Sequence, residues 1–180
     1  MSSDLEMLAA PFYAAAVVLA VSGATKLRDP VPAAQALRTA GLRATTTSSR
    51  AIGVAEIGVA VSALVAPVRV TAIALALAYG ALAAFAAFVM VRRPGTDCGC
   101  FGTSSAPVGP AHLTIDVAAA LVALGIAIAP LRSTIDVLAD QPFAAAPFVV
   151  LTGVLSWLVV VTMTDLTTVL RATSSSGGAG

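Results

Sequence analysis

The only two cysteines of the chain, Cys98 and Cys100, are one residue apart in a polar segment, TDCGCFGT, between long apolar runs. A disulfide needs α-carbons about 4.4–6.8 Å apart, and residues i and i+2 reach this separation only in a turned backbone. Gly99 supplies the backbone freedom for such a turn. A ring this small is strained and stabilises the fold little. The spacing therefore favours a disulfide that exchanges readily over one whose role is to stabilise the fold.

Two other interpretations of the cysteine pair stay open. The thiols could bind a soft metal together with His112 and a carboxylate, although Cys-x-Cys with one distant histidine is an incomplete signature. They could also be two unpaired, small hydrophobic side chains in a loop. Their adjacency and polar flanks disfavour this last interpretation, and redox exchange explains the pattern best.

Charged residues near the pair would tune its chemistry. Lys26, at the end of the first apolar run, would stabilise a thiolate and lower the thiol pKa, unless its ammonium only snorkels at a helix end. Asp97 precedes Cys98 directly, and its like charge would raise the thiol pKa and oppose Lys26.

Polar side chains within or beside apolar runs are further candidates. Glu56 lies inside such a run, where a carboxylate is costly and marks a site by default. It would pair with Lys26, accept a proton during exchange, or serve a purely structural role. Asp116 is a weaker candidate that could be hydrated or cap a helix start. His112, the only histidine, is either a proton relay or a structural residue.

The composition indicates an integral membrane protein in contact with lipid. Hydrophobic residues make up 58% of the chain and charged residues 11%, whereas soluble domains carry roughly 25% charged residues. A net charge of +1 excludes a basic nucleic-acid-binding surface. No Lys or Arg precedes the first apolar run, so we expect a retained helix there and not a signal peptide.

The apolar pattern predicts an all-α, polytopic transmembrane bundle. Spans of about 20 residues cross the hydrocarbon layer, and five runs are candidates, at about residues 7–27, 51–67, 70–91, 113–130 and 143–166. A short helical pattern at 33–42 would lie along the membrane surface. We expect a four-span redox core at 1–142, followed at 143–180 by an additional transmembrane helix and a disordered tail.

Antiparallel passes bring both cysteines, His112 and four ionisable residues at or inside the spans to one end of the bundle, namely Lys26, Glu56, Asp116 and Asp165. The basic residues show the same bias, because eight of the ten fall on that face, namely Lys26, Arg28, Arg38, Arg43, Arg50, Arg92, Arg93 and Arg171. The positive-inside rule then predicts a cell-membrane protein with a cytoplasmic cysteine loop and an external N-terminus.

The motif CGCFG before a helix, the element SGATKLRDP at the end of the first span, and a glutamate early in the second resemble the MauE/DoxX-like redox-associated membrane proteins. The resemblance covers roughly residues 17–130, and the cysteine motif is its most specific part. It implies thiol and disulfide redox chemistry with a thioredoxin-like partner, in cofactor-protein maturation or oxidative-stress defence.

At matching positions, the resemblance implies Cys98 and Cys100 as the redox pair, Gly102 as part of their turn, and Lys26 and Glu56 as supporting residues. A maturation role suits a disulfide outside the cytoplasm, whereas the charge count predicts the cytoplasmic side, where thiols are normally reduced.

The most consistent activity is thiol–disulfide exchange with a thioredoxin-like or other redox protein. One thiolate attacks a partner disulfide, a mixed disulfide forms, and the second cysteine resolves it. A quinone would be the natural acceptor if the pair is reoxidised in the bilayer, but no sequence feature marks a quinone pocket. The alternative is a non-enzymatic subunit, chaperone or metal-binding component of a redox enzyme complex.

Overall fold

Every helix or strand in the part of the chain that the computed structural model describes is an α-helix, which confirms the all-α prediction. That part comprises residues 8–96, 99–100, 108–128 and 142–164, and in the last range the side chains of residues 150–162. The helices are α1 (Ala9–Arg28), α2 (Val31–Thr39), α3 (Thr46–Val65), α4 (Arg69–Arg92), α5 (Pro110–Ile128) and α6 (Pro142–Thr164).

Four helices, α1, α3, α4 and α5, are long and apolar enough to cross a membrane. The shortest of them has 19 residues, which is about 28 Å of helix at 1.5 Å per residue. The chain is therefore a multi-pass membrane protein, as predicted.

The first span lies at the centre of the bundle. In the most apolar 18-residue stretch of this span, 56% of the residues are buried. In the corresponding stretches of the other three spans, 28–33% are buried. Phe12 and Leu19 of α1 are fully enclosed with Leu75 of α4 and Ile126 of α5. Tyr79 of α4 donates a hydrogen bond of 2.7 Å to the carbonyl of residue 15, which satisfies the hydroxyl within the apolar core.

Helix α3 begins five residues earlier than the hydropathy pattern predicts. A capping box starts it, with the Ser48 amide donating to Thr45 Oγ1 at 3.1 Å and the Thr45 amide donating to Ser48 Oγ at 2.9 Å. These bonds satisfy amide groups that the first turn of a helix leaves unpaired. Glu56 consequently lies about three turns into the helix, deeper than the sequence indicated.

The short helix predicted between the first two spans is present as α2. It begins at Val31 instead of residue 33, with a proline in its first turn, where a proline is well tolerated. Its buried side chains are those of Ala33, Ala34 and Ala36. Its position along the membrane surface stays a prediction.

Helix α6 packs against α1 and lies where the fifth span was predicted. Its described side chains expose Val150, Val154 and Trp157 and bury Thr152 and Ser156, an arrangement suited to lipid on one side and protein on the other. The membrane crossing of this helix and the division of the chain at residue 142 stay predictions. Asp165 and the tail, with Arg171 within it, lie outside the described residues.

Candidate functional site

Two glycines bring α1 and α3 together near the cysteine-bearing end of the bundle. A β-carbon added to Gly23 would lie 2.6 Å from the Gly53 carbonyl oxygen, and one added to Gly53 would lie 2.7 Å from the Gly23 carbonyl oxygen. Such contacts are too short for any side chain. Small residues at a crossing between membrane helices allow this close approach of the backbones.

An ion pair spans this crossing, because Lys26 of α1 lies beside Gly53 and Glu56 of α3 lies beside Gly23. Lys26 Nζ donates to the two carboxylate oxygens of Glu56 at 2.8 and 3.0 Å. The two side chains are only 7% and 8% exposed, so each charge depends on the other for stabilisation inside the bundle. The pairing that the sequence predicts is present.

Ser22 completes the cluster and was not identified from the sequence. Lys26 Nζ donates to Ser22 Oγ at 2.6 Å, and Ser22 Oγ donates to Glu56 Oε2 at 3.4 Å. All three ammonium donors of Lys26 therefore have acceptors in this arrangement. For Lys26 to stabilise a thiolate, the ammonium must leave one of these partners.

The sequence contained a signal for this cluster. Gly23 precedes Lys26 by three residues, and Gly53 precedes Glu56 by the same three residues. A residue and its i+3 neighbour share a helix face, so the two Gly-x-x-charge elements predict a close crossing with opposite charges beside it. Ser22, four residues before Lys26, is on the same face.

Cys100 lies close to this cluster. It is buried and disulfide-bonded. Cys98 is the only other cysteine of the chain, and it lies outside the described residues together with Asp97 and Gly102. The Cys98–Cys100 pairing and the turn around it therefore stay predictions.

Two contacts hold the cysteine loop against the bundle. Thr25 Oγ1 donates a 2.7 Å hydrogen bond to the Cys100 carbonyl. Gly99 has a φ of 67°, and a β-carbon there would lie 2.9 Å from Pro32 O and from Ala33 Cα. The loop thus rests on the end of α1 and the first turn of α2, and Gly99 is needed for its conformation and for its small size.

A cavity of about 460 Å³ lies between α2, α3 and α4, and Lys26, Glu56 and Cys100 form part of its wall. Ser49 also lines it; this side chain is fully buried, and its hydroxyl has no hydrogen-bond partner among the described residues. The rest of the lining is apolar: Ala33, Ala36, Leu37, Leu42, Ile52, Ala55, Val59, Ala78, Ala81, Leu82 and Phe85.

His112 and Asp116 are buried in the first two turns of α5, and neither lines this cavity. Both ring nitrogens of His112 lack a hydrogen-bond partner within the described ranges. In the same ranges, no three His, Cys, Asp or Glu side chains gather as a metal site. Their roles as proton relay, helix cap or ligand stay predictions.

Two of the basic residues used to predict orientation have local structural roles. Lys26 is buried in its ion pair and does not act as a loop charge. Arg69, at the opposite end of the bundle, donates from Nε to the carbonyl of Ala127 at 3.0 Å, and so satisfies a free carbonyl at the end of α5. The charge bias survives these two corrections, since seven basic residues remain against one.

These features define a small polytopic membrane protein with a buried ion pair and a cysteine loop at one end of its bundle. The chain belongs to the family described as Methylamine utilisation protein MauE, whose model matches residues 6–132, which confirms the resemblance noted in the sequence. The match includes the first span, the ion pair, the cysteine loop and α5. No curated protein and no solved structure matches the chain significantly.

Proposed function

We propose that this protein is a membrane thiol–disulfide oxidoreductase whose redox pair is Cys98 and Cys100. The observation that carries the proposal is the disulfide-bonded state of Cys100 in a loop seated on α1 and α2, next to a buried ion pair. Cys100 also lines the cavity between α2, α3 and α4.

In the oxidising direction, a thiolate of a partner dithiol attacks one sulfur of the Cys98–Cys100 disulfide. The sulfur–sulfur bond breaks, a mixed disulfide forms, and the displaced cysteine leaves as a thiolate. The second thiolate of the partner then attacks the mixed disulfide. The partner becomes a disulfide, the two cysteines become thiols, and two electrons and two protons have moved from one to the other.

The ion pair is suited to support the displaced thiolate. Lys26 and Glu56 share a cavity wall with Cys100, and a cation beside a thiolate stabilises it. The ammonium turns towards sulfur by giving up a hydrogen bond to Ser22 or Glu56, and the Glu56 carboxylate accepts a proton. The pair would thus supply a positive charge and a base from a site that is neutral at rest.

The partner is a thioredoxin-like or other redox protein, and trapping identifies it. A Cys98→Ser or Cys100→Ser variant has no second cysteine that could resolve a mixed disulfide. The mixed disulfide with the partner should therefore accumulate in cells. Non-reducing gels and mass spectrometry of the adduct give its identity. The double Cys→Ser variant is the control and should trap nothing.

Absence of any adduct in both single variants would contradict the exchange mechanism. A non-enzymatic subunit or metal-binding component would give a different pattern. The double Cys→Ser variant would still bind its partner, or the purified protein would contain metal that the double variant loses.

A further inference from the structure

We propose that the cavity between α2, α3 and α4 binds a lipid-soluble quinone, which accepts the electrons of the reduced cysteine pair. This inference rests on the proposed thiol–disulfide function and specifies the oxidant of the same site. It is carried by the cavity, by the Ser49 hydroxyl, which has no hydrogen-bond partner among the described residues, and by Cys100 in the wall.

The size and lining of the cavity suit an apolar ring with a tail. A volume of about 460 Å³ falls in the range of roughly 300–1,000 Å³ that small-molecule sites occupy. Two of its lining side chains, Leu42 and Ile52, are 55% and 38% exposed, so they form an apolar edge on the outer surface of the bundle. Because α3 and α4 are membrane spans, molecules dissolved in lipid can reach this edge.

The polar groups of the cavity distinguish a quinone from a lipid chain. Ser49 is buried without a partner among the residues described, which is costly unless a ligand accepts its hydrogen bond. A quinone carbonyl is such an acceptor, and an acyl chain is not. Cys100 and the Lys26–Glu56 pair lie in the same wall, so a ring that contacts Ser49 is held in the cavity that the redox loop borders.

The electron balance also requires an external acceptor. The chain has two cysteines, so a reduced pair cannot pass its electrons to a second pair in the same chain. With a quinone, two S–H bonds break and one S–S bond forms, while two electrons and two protons convert the quinone carbonyls to the hydroxyls of a quinol. The products are the disulfide and a quinol that can diffuse back into the bilayer.

The test uses the full chain in nanodiscs, reduced with dithiothreitol, freed of reductant and mixed anaerobically with a decyl-substituted benzoquinone. We expect one quinol per protein and loss of both free thiols. The Cys98→Ser/Cys100→Ser protein should form none. Exchange of the oxidised protein with a dithiol peptide is measured in parallel, without quinone.

Matched variants locate the reaction in the cavity. Loss of the Ser49 hydrogen bond in Ser49→Ala should raise the quinone KM about tenfold, the equivalent of roughly 1.4 kcal/mol, whereas Ser62→Ala, on an exposed face of the same helix, should not. Ala81→Phe fills the cavity and should slow quinol formation at least tenfold relative to Ala84→Phe, an exposed position on α4 outside the lining.

Peptide exchange without quinol formation would overturn the quinone inference and leave the exchange function standing. Quinol formation that is equally fast in Ala81→Phe and Ala84→Phe would also overturn it, because the cavity would then not be the site. Loss of peptide exchange in the wild-type protein would overturn the exchange function itself.

Discussion

Gly23 and Gly53 face each other across the α1–α3 crossing, each with its carbonyl oxygen where a β-carbon of the other would lie. This contact sets the distance between the two helices at the level of the ion pair. Lys26 lies beside Gly53 and Glu56 lies beside Gly23, so this close approach lets the two side chains meet at 2.8 Å across the crossing. The packing of two glycines is therefore a condition for the electrostatics of the site.

Replacing Gly23 by alanine should force the helices apart. A β-carbon 2.6 Å from a backbone oxygen cannot be accommodated by a side-chain rotation, and overpacking of this kind typically lowers the free energy of unfolding by about 1–3 kcal/mol. Gly58→Ala is the matched control, since its β-carbon meets no atom within 4 Å. Thermal unfolding in detergent compares the two, and equal midpoints would contradict the close contact.

Lys26 and Glu56 should behave as a coupled pair in a double-mutant cycle. Lys26→Met and Glu56→Gln each leave a buried partner uncompensated, with an expected loss of about 3–5 kcal/mol. The double variant should lose much less stability but should not exchange disulfides. Denaturant unfolding and an exchange assay measure the two properties. Additive single effects would show that the residues are not coupled.

Alanine substitutions at two glycines can distinguish the contact between the cysteine loop and α2 from the effect of backbone strain. Gly99 and Gly95 both have positive φ, 67° and 85°, so alanine at either should add roughly 1–2 kcal/mol of backbone strain. Only at Gly99 would the new β-carbon also collide with α2, at Pro32 and Ala33.

We expect the disulfide of the Gly99→Ala protein to be reduced by dithiothreitol several-fold faster than that of the Gly95→Ala protein. Alkylation of the released thiols, followed by mass measurement, gives the two rates. If the rates are equal, contact with α2 does not hold the loop.

The basic residues predict the orientation in the membrane, and this prediction can be tested independently of the redox chemistry. In a background without the native cysteines, an impermeant thiol reagent applied to intact cells should label Asp4→Cys and not Arg38→Cys, because basic loops stay in the cytoplasm. The reverse labelling would place the cysteine loop outside, where a stable disulfide is expected, and would leave the exchange mechanism intact.

The spans were predictable from the sequence because a continuous run of about twenty apolar residues indicates a helix that crosses the hydrocarbon layer. Their ends were not, since the apolar pattern leaves the TTTSSR segment outside the second span, yet a Thr45–Ser48 capping box makes most of it helix. Charges such as Glu56 were visible because they are costly in an apolar run. Ser49 was not, since a hydroxyl in a helix is inexpensive and its burial depends on how the neighbouring helices pack.

A single turn of α1, from Ser22 to Lys26, carries the hydrogen bond to the cysteine loop, the glycine contact and the ion pair. Each added or deleted residue rotates the following part of a helix by about 100°. An insertion within this turn would therefore disconnect the loop and the cation together, and no single substitution elsewhere could restore both. The number of residues in this turn is therefore constrained as a unit, independently of the identity of any one of them.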